Sequence, residues 1–393
     1  MKVPNIPVAL ATVSPCLPLP NLTPIPPTIL AHPYAPSNFK PGHPNPHTPH
    51  QKICKVKLLL KDAGPGILAA ARKCNHGRTV YLPPGDFIIA TTLGLTFLNN
   101  IDFAIYGNVS FKHDIDLWPT QAFEYEFQAS SMFWRFGGKN VNIYGGGKGV
   151  IDGRGQYWWS AMATDKTVMR PCLFGADGLH HATVSGLTVL DPPGWFNLIA
   201  NSSDILISDM TMLVGKALQG APAKNTDGWD TYRSSNIVIQ NSKIVNTDDC
   251  VSFKPNSTQV IVQNLDCTGS HGISVGRRNR PLWPGVPPDS TGSTSGGGLG
   301  RVRNVTYETM HGFDNDRVIS VSQCYYTANQ TACNENPSSL VIENIYFKDF
   351  EGTTSKKYDP RIGELMCSRP DAPFFGCANM DGSNLDEITC KTS

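Results

Sequence analysis

Ile237-Val238-Ile239-Gln240-Asn241 and Val260-Ile261-Val262-Gln263-Asn264 repeat one pattern 23 residues apart: a run of β-branched residues, a glutamine, then an asparagine. Branching at Cβ stiffens a side chain and suits it to a pleated strand. Working outward, the same kind of run recurs in Thr183-Val184-Ser185-Gly186, Ile205-Leu206-Ile207-Ser208-Asp209 and Leu340-Val341-Ile342-Glu343-Asn344, each closed by Gly, Asp or Asn. Val141-Asn142-Ile143-Tyr144-Gly145 belongs to the same series. With the closing residue as register mark, the central spacings are 23 (186 to 209), 32 (209 to 241) and 23 (241 to 264). A strand signature returning every twenty-odd residues marks a solenoid, each repeat stacked on the last. No helix separates the runs, which excludes leucine-rich and βα repeats. The expected fold class is all-β, a parallel β-helix whose coils stack at about 4.8 Å. Polar Asn or Asp at equivalent turns would then ladder between coils. A β-sandwich would not space its strands so evenly.

Composition agrees. Only 17% of the 393 residues are charged, while glycine (36) and proline (31) are plentiful, a balance that favours short strands and tight turns. Fourteen prolines fall within residues 1–49. Residues 1–50 therefore read as an extended, disordered lead-in, and 51–393 as a single β-helix domain. The Ala-rich run at 67–73 is the one convincing helix, a short cap at the N-terminal end. Lys2 followed by Val8-Ala9-Leu10-Ala11 resembles a secretory signal whose apolar part is broken by proline. The net charge of +1 supplies no field for nucleic acid or an anionic membrane. No apolar run reaches the ~18 residues of a membrane span. Of the eleven cysteines, Cys54/Cys74, Cys250/Cys267, Cys324/Cys333 and Cys367/Cys377 would each close a small loop, although sequence leaves the pairing open. None has the doubled Cys-x-x-Cys spacing of a zinc site, and no metal or other cofactor is expected. Six sequons, at Asn21, Asn108, Asn201, Asn256, Asn304 and Asn329, fit an oxidising, glycosylating route. The chain reads as secreted and monomeric.

The chemistry sits in the middle coils. Asn225-Thr226-Asp227-Gly228-Trp229-Asp230, Asp248-Asp249-Cys250 and Ser270-His271-Gly272 follow at nearly constant spacing: Asp227 to Asp248 is 21 residues, Asp249 to His271 is 22. In coils of about 22 residues these groups fall in one column on one face. Two carboxyl groups across a glycosidic bond act as acid and base, and crowding carboxylates raises one pKa enough to keep that group protonated. A single aspartate is common in a turn, and Asp227, Asp230, Asp248 and Asp249 together could gather an oxygen-ligated cation. Three in register with an imidazole favour acid/base chemistry. Trp195, Trp229 and Tyr232 offer either sugar-stacking faces or core packing. Arg277, Arg278 and Arg280 form a basic cluster, either a solvated loop or a grip for substrate carboxylates.

These blocks resemble three of the four signatures of the polygalacturonase-type glycoside hydrolases. Residues 224–235 (KNTDGWDTYRSS), 250–257 (CVSFKPNS) and 269–276 (GSHGISVG) are similar to the fungal exo-acting branch, as are Cys74-Asn75-His76-Gly77, Tyr144-Gly145-Gly146-Gly147 and Ile151-Asp152-Gly153. The resemblance runs from residue 53 to the C-terminus. It implies a right-handed β-helix that hydrolyses α-1,4-linked galacturonic acid from the non-reducing end, with inversion. It implies Asp248 as proton donor, Asp227 and Asp249 as activators of water, and His271 as support for the acid and the substrate. The implied partner is an anionic pectic polysaccharide, polygalacturonate, bound by Asn225 and by Arg277, Arg278 and Arg280.

One signature departs from the pattern. Arg-Ile-Lys, which in the family grips the substrate carboxylate, should lie one coil after His271 and is missing; Arg317-Val318-Ile319 has the arginine but no lysine. Trp283-Pro284-Gly285-Val286-Pro287, which follows the Arg-Ile-Lys strand in exo-type relatives, is separated here from Gly276 by only the six residues 277–282. About one coil, roughly 25 to 30 residues, is thus absent. That gap motivates a second reading, a catalytically impaired β-helix that binds pectin without efficient turnover. A third, a calcium-dependent lyase, would need a cation site and an arginine base in place of the column.

Overall fold

The computed structural model describes residues 52–57, 61–125, 127–215, 221–275, 299–322, 331, 339–358, 363–366 and 380–381. They fall into two compact units, one ending at residue 275 and the other beginning at residue 299. The lead-in over 1–50 and the cluster Arg277, Arg278 and Arg280 lie outside the described residues.

The first unit is a right-handed parallel β-helix. Its main sheet runs Ile53–Lys55, Arg78–Leu82, Leu93–Ile105, Trp134–Asp152, Phe174–Leu190, Asn197–Ala200, Trp229–Tyr232, Val251–Phe253 and Ile273–Val275, neighbours pairing in that order. Phe174, Asn197, Trp229, Val251 and Ile273 occupy one rung after another. A second ladder stacks Ala182, Ile205, Ile237 and Val260. Its steps are the 23, 32 and 23 residues read from the strand signatures, so the long coil is real.

The central signatures are closed by a residue in the left-handed region. Gly186, Asp209, Asn241 and Asn264 have φ of 60°, 56°, 50° and 53°. A side chain with Cβ is disfavoured there, least so for Asn and Asp, and glycine is free to adopt it. The turn therefore dictates the letter that ends the strand. Stacking does the rest: Asn264 Nδ2 donates to Asn241 Oδ1 at 2.8 Å and Gln263 to Gln240 at 2.8 Å. Between the sheets, inward residues such as Ile101, Val141, Ala182, Ile205 and Ile237 are fully buried. Each large aliphatic position contributes about 1.5–3 kcal/mol of burial, so an inward charge on any coil would break the stack.

The helix expected at 67–73 spans Gly64–Cys74 and buries Ile67, Ala71 and Cys74. Pro65 sits in its first turn, where its missing N–H costs nothing, and the Cys54–Cys74 disulfide ties it to the first strand. A second helix, Gln156–Thr164, corrects the expectation of a single one. It buries Trp158, Trp159 and Met162, but nine residues are too few for an apolar period to stand out in sequence. Among the described residues the one antiparallel pair is the hairpin of Phe123–Tyr125 with Ser130–Met132. Cys250–Cys267 is the second disulfide and Cys172 a buried free thiol; Cys324, Cys333, Cys367 and Cys377 lie outside the described residues.

In the second unit Leu299–Asn315 pairs in parallel with Ser339–Thr354, and Ile319–Ser322 with Gly363–Met366. Buried Ile342 and Ile345 pack with Val302, Val305 and Tyr307, and Asn344 Nδ2 donates to Asn304 Oδ1 at 3.1 Å. Both asparagines are left-handed, with φ of 56° and 54°. Among the described residues no helix is long and apolar enough to cross a membrane.

Candidate active site

The rung of Trp229, Val251 and Ile273 places the residues two positions earlier, Asp227, Asp249 and His271, on successive coils in one column. Asp248 stands beside them, one residue ahead of Asp249. The three turns are sewn together by backbone. Gly228 N–H donates to Asp249 O at 2.9 Å, Cys250 N–H to Gly272 O at 2.7 Å and His271 N–H to Asp248 O at 2.9 Å. Asn246 Nδ2, buried behind them, lies 3.0, 3.0 and 2.8 Å from the carbonyls of Thr226, Asp248 and Asp249. A Cβ on Gly228 would come within 2.3 Å of Cys250 O, so only glycine lets the first turn pack this closely on the second.

Asp248 is the most engaged carboxylate. Asn225 Nδ2 donates to its Oδ2 at 3.1 Å, and the Asp249 N–H to its Oδ1 at 2.9 Å. His271 Nδ1 lies 3.2 Å from the same Oδ1. The Asp248 side chain is 20% exposed and that of His271 66%, so both face solvent where a substrate would arrive. Arg170 fixes Asn225 in turn, donating from Nη2 to its Oδ1 at 2.9 Å and from Nη1 to Lys224 O at 2.6 Å. Ser274 Oγ donates to Asp249 Oδ1 at 2.6 Å.

Asp227 occupies drier ground. Its side chain is 6% exposed, and Lys254 Nζ lies 3.3 Å from its Oδ2 and 3.3 Å from Oδ1 of the fully buried Asp230. Burial pushes the Asp227 carboxyl up to about 7; Lys254 opposes the rise, and Asp248 and Asp249 add to it. Burial, then the charge of Asp227, pushes Asp230 well above the carboxylate range. The site thus holds carboxyl groups in two environments, one solvated and hydrogen-bonded, the other dry and crowded, which is the physical requirement for an acid and a base side by side.

An aromatic cluster lies at the end of the strand that carries Asp230. Tyr232, two residues beyond Asp230, stacks on Phe127 with ring centroids 4.3 Å apart and meets Tyr125 edge-on at 6.0 Å. Tyr125 Oη accepts from Asn201 Nδ2 at 2.6 Å. Asp248, Asp249 and His271 bring one ligand atom each within 4.8 Å of one another, but calcium takes about six to eight oxygens, and the hydrogen bonds given above account for their closeness. Asp227 and Asp230 face the Lys254 ammonium.

Residues 81–282 match the family Glycosyl hydrolases family 28. The chain is 61% identical to exopolygalacturonase A of Aspergillus niger, across 99% of this chain and all of that protein. It belongs to glycosyl hydrolases family 28. As a family 28 member it is a glycoside hydrolase. It is also 43% identical to an exopolygalacturonase of Cochliobolus carbonum, across 91% of this chain and 86% of the relative. The structure of an endo-xylogalacturonan hydrolase from Aspergillus tubingensis superposes with a TM-score of 0.65 at 27% identity, covering 84% of this chain and 90% of that one. The Aspergillus niger alignment runs over 435 residues where this chain has 393. The shortfall is long enough to contain the coil whose absence the sequence indicates.

Of the residues singled out in sequence, this family 28 chain brings together Asp227, Asp248, Asp249, His271 and Asn225. Trp229 is fully buried and offers no face to a sugar. Trp195 lies over the Lys254 ammonium, 5.3 Å from ring to Nζ. Three partners escaped sequence reading. Asn246 and Lys254 sit within or beside quoted strings, and strand alternation from Ser252 puts Lys254 on the outer face. Arg170 is 55 residues from Asn225, and nothing local marks it.

Proposed function

We propose that this chain is a secreted, monomeric exopolygalacturonase that releases galacturonic acid from the non-reducing end of polygalacturonate. The observation that carries the reading is the intact column of Asp227, Asp249 and His271 beside Asp248, on a chain 61% identical to exopolygalacturonase A. Residues 51–393 form one catalytic domain in this reading. Asp248 gives its proton to the glycosidic oxygen as the C1–O bond breaks. Water activated by Asp227 and Asp249 attacks C1 from the opposite face and loses its proton to the carboxylates, which gives inversion. His271 orients Asp248, and Asn225 with Arg277, Arg278 and Arg280 binds the anionic sugar. One support is independent of resemblance: the hydrogen bonds from Asn225 and the Asp249 N–H that hold Asp248 at the solvent-facing edge of the column.

The test is digestion of polygalacturonate by the purified chain. Galacturonic acid should be the sole early product, with slow loss of viscosity, and Asp248→Asn should cut kcat by about two to four orders of magnitude. Early oligomers would sink exo action, an unsaturated product would point to a lyase, and a fully active Asp248→Asn would overturn the acid assignment. A folded chain that binds oligogalacturonate without turnover would favour the impaired relative.

A further inference from the structure

A buried cation sits behind the column. Lys254 follows the strand Val251–Phe253 and is pinned there by its own N–H, which donates to Thr231 O at 2.8 Å. Its side chain is 10% exposed, and its ammonium touches two carboxyls, Asp227 and Asp230, at 3.3 Å each. The Trp195 ring covers the ammonium. Neither oxygen of Asp230 accepts a hydrogen bond of good geometry, so Lys254 is the charge that Asp230 faces. Two anions and one cation in so dry a space would leave a net buried charge, which costs several kcal/mol. One proton is therefore held between the two carboxyls. The fully buried Asp230 is the harder to ionise, whereas Asp227 still reaches the column.

We propose that Lys254 is a positioning residue for the hydrolysis: shared between Asp227 and Asp230, its ammonium keeps Asp227 as the ionised, water-accepting carboxylate and leaves the proton on Asp230. This rests on the reading above in which Asp227 activates water. The other groups facing the pair do not replace Lys254. Asp248 and Asp249 on the next coil repel charge on Asp227. Arg170 attracts it from the loop before Phe174 but is bound to Lys224 and Asn225. The Cys172 thiol faces both aspartates and Lys254, and burial holds it neutral.

The experiment uses the full chain with Lys254→Met, Lys254→Gln and Asp230→Asn. The acidic limb of the kcat/KM profile should move up by about one pH unit or more in both Lys254 variants. At pH 5, kcat should fall about tenfold while KM stays within about threefold. The 13C-carboxyl resonance of Asp227, assigned by its loss in Asp227→Asn, should titrate higher by the same amount in the Lys254 variants. In Asp230→Asn, where a neutral amide stands for the protonated acid, it should stay within about half a unit of wild type. A limb and a carboxyl titration unmoved in folded Lys254 variants would overturn the proposal, as would a loss confined to KM. A large shift of Asp227 in Asp230→Asn would overturn the assignment of the proton. The titration needs no turnover and Asp248→Asn runs alongside, so failure of the hydrolase reading is seen separately.

Discussion

Replacing Asp227 with asparagine should abolish turnover and, at high pH, stabilise the fold. The native structure raises this carboxyl from 3.8 to about 7, burial being the main cause. An unfolded aspartate loses its proton near pH 4. Because Asp227 and Asp230 share Lys254, between about pH 4 and pH 7 the native pair holds one proton that the unfolded chain has lost, and stability falls by about 1.4 kcal/mol per pH unit. For a raised carboxyl the contribution is complete below the unfolded value and gone above the folded one. The full window amounts to about 4 kcal/mol; part of the charge is shared through Lys254 with Asp230, so about 2–4 kcal/mol is expected. Asparagine keeps the shape and cannot titrate. Urea unfolding of wild type and Asp227→Asn, followed by tryptophan fluorescence from pH 4 to pH 8, should show the variant gaining that amount relative to wild type as pH rises. Parallel stability curves would refute the claim that burial is what raises Asp227.

Other perturbations probe the frame around the column. Asn246→Ala removes the side-chain donor shared by the carbonyls of Thr226, Asp248 and Asp249, the last two of which keep His271 N–H and Gly228 N–H, and should cost about 1–3 kcal/mol, with kcat falling as the Asp248-Asp249 turn loosens; chemical denaturation and steady-state kinetics read both. Removing the Cys250–Cys267 disulfide, which spans 17 residues, should cost about 3 kcal/mol, measured by the urea midpoint of the double serine variant. Arg170→Ala frees Asn225 and through it Asp248, so kcat/KM should fall about tenfold while stability stays within about 1 kcal/mol. Activity should be insensitive to a chelator, since the carboxylates of the column face Lys254, Ser274, Asn225 and His271; loss on chelation that calcium restores would favour the cation reading.

The coil pitch, the left-handed turns and the acidic column were all legible in the chain because each obeys a local rule. Asp209, Asn241 and Asn264 announce the turn that such residues tolerate best, and their spacing is the coil length. Asp227, Asp249 and His271 share a face because the coils between them are equally long. What the sequence did not disclose is set by distance in space. Arg170 reaches Asn225 across two coils, and Lys254 becomes a partner of Asp227 only once burial makes an unpaired carboxylate expensive. The helix Gln156–Thr164 was equally silent, its two tryptophans explained only by the surface they cover. Sequence alone determined the solenoid and the acids, since periodicity is a property of the chain. Tertiary structure alone decided which acid is dry and which cation attends it, because solvation and charge depend on what lies across the fold.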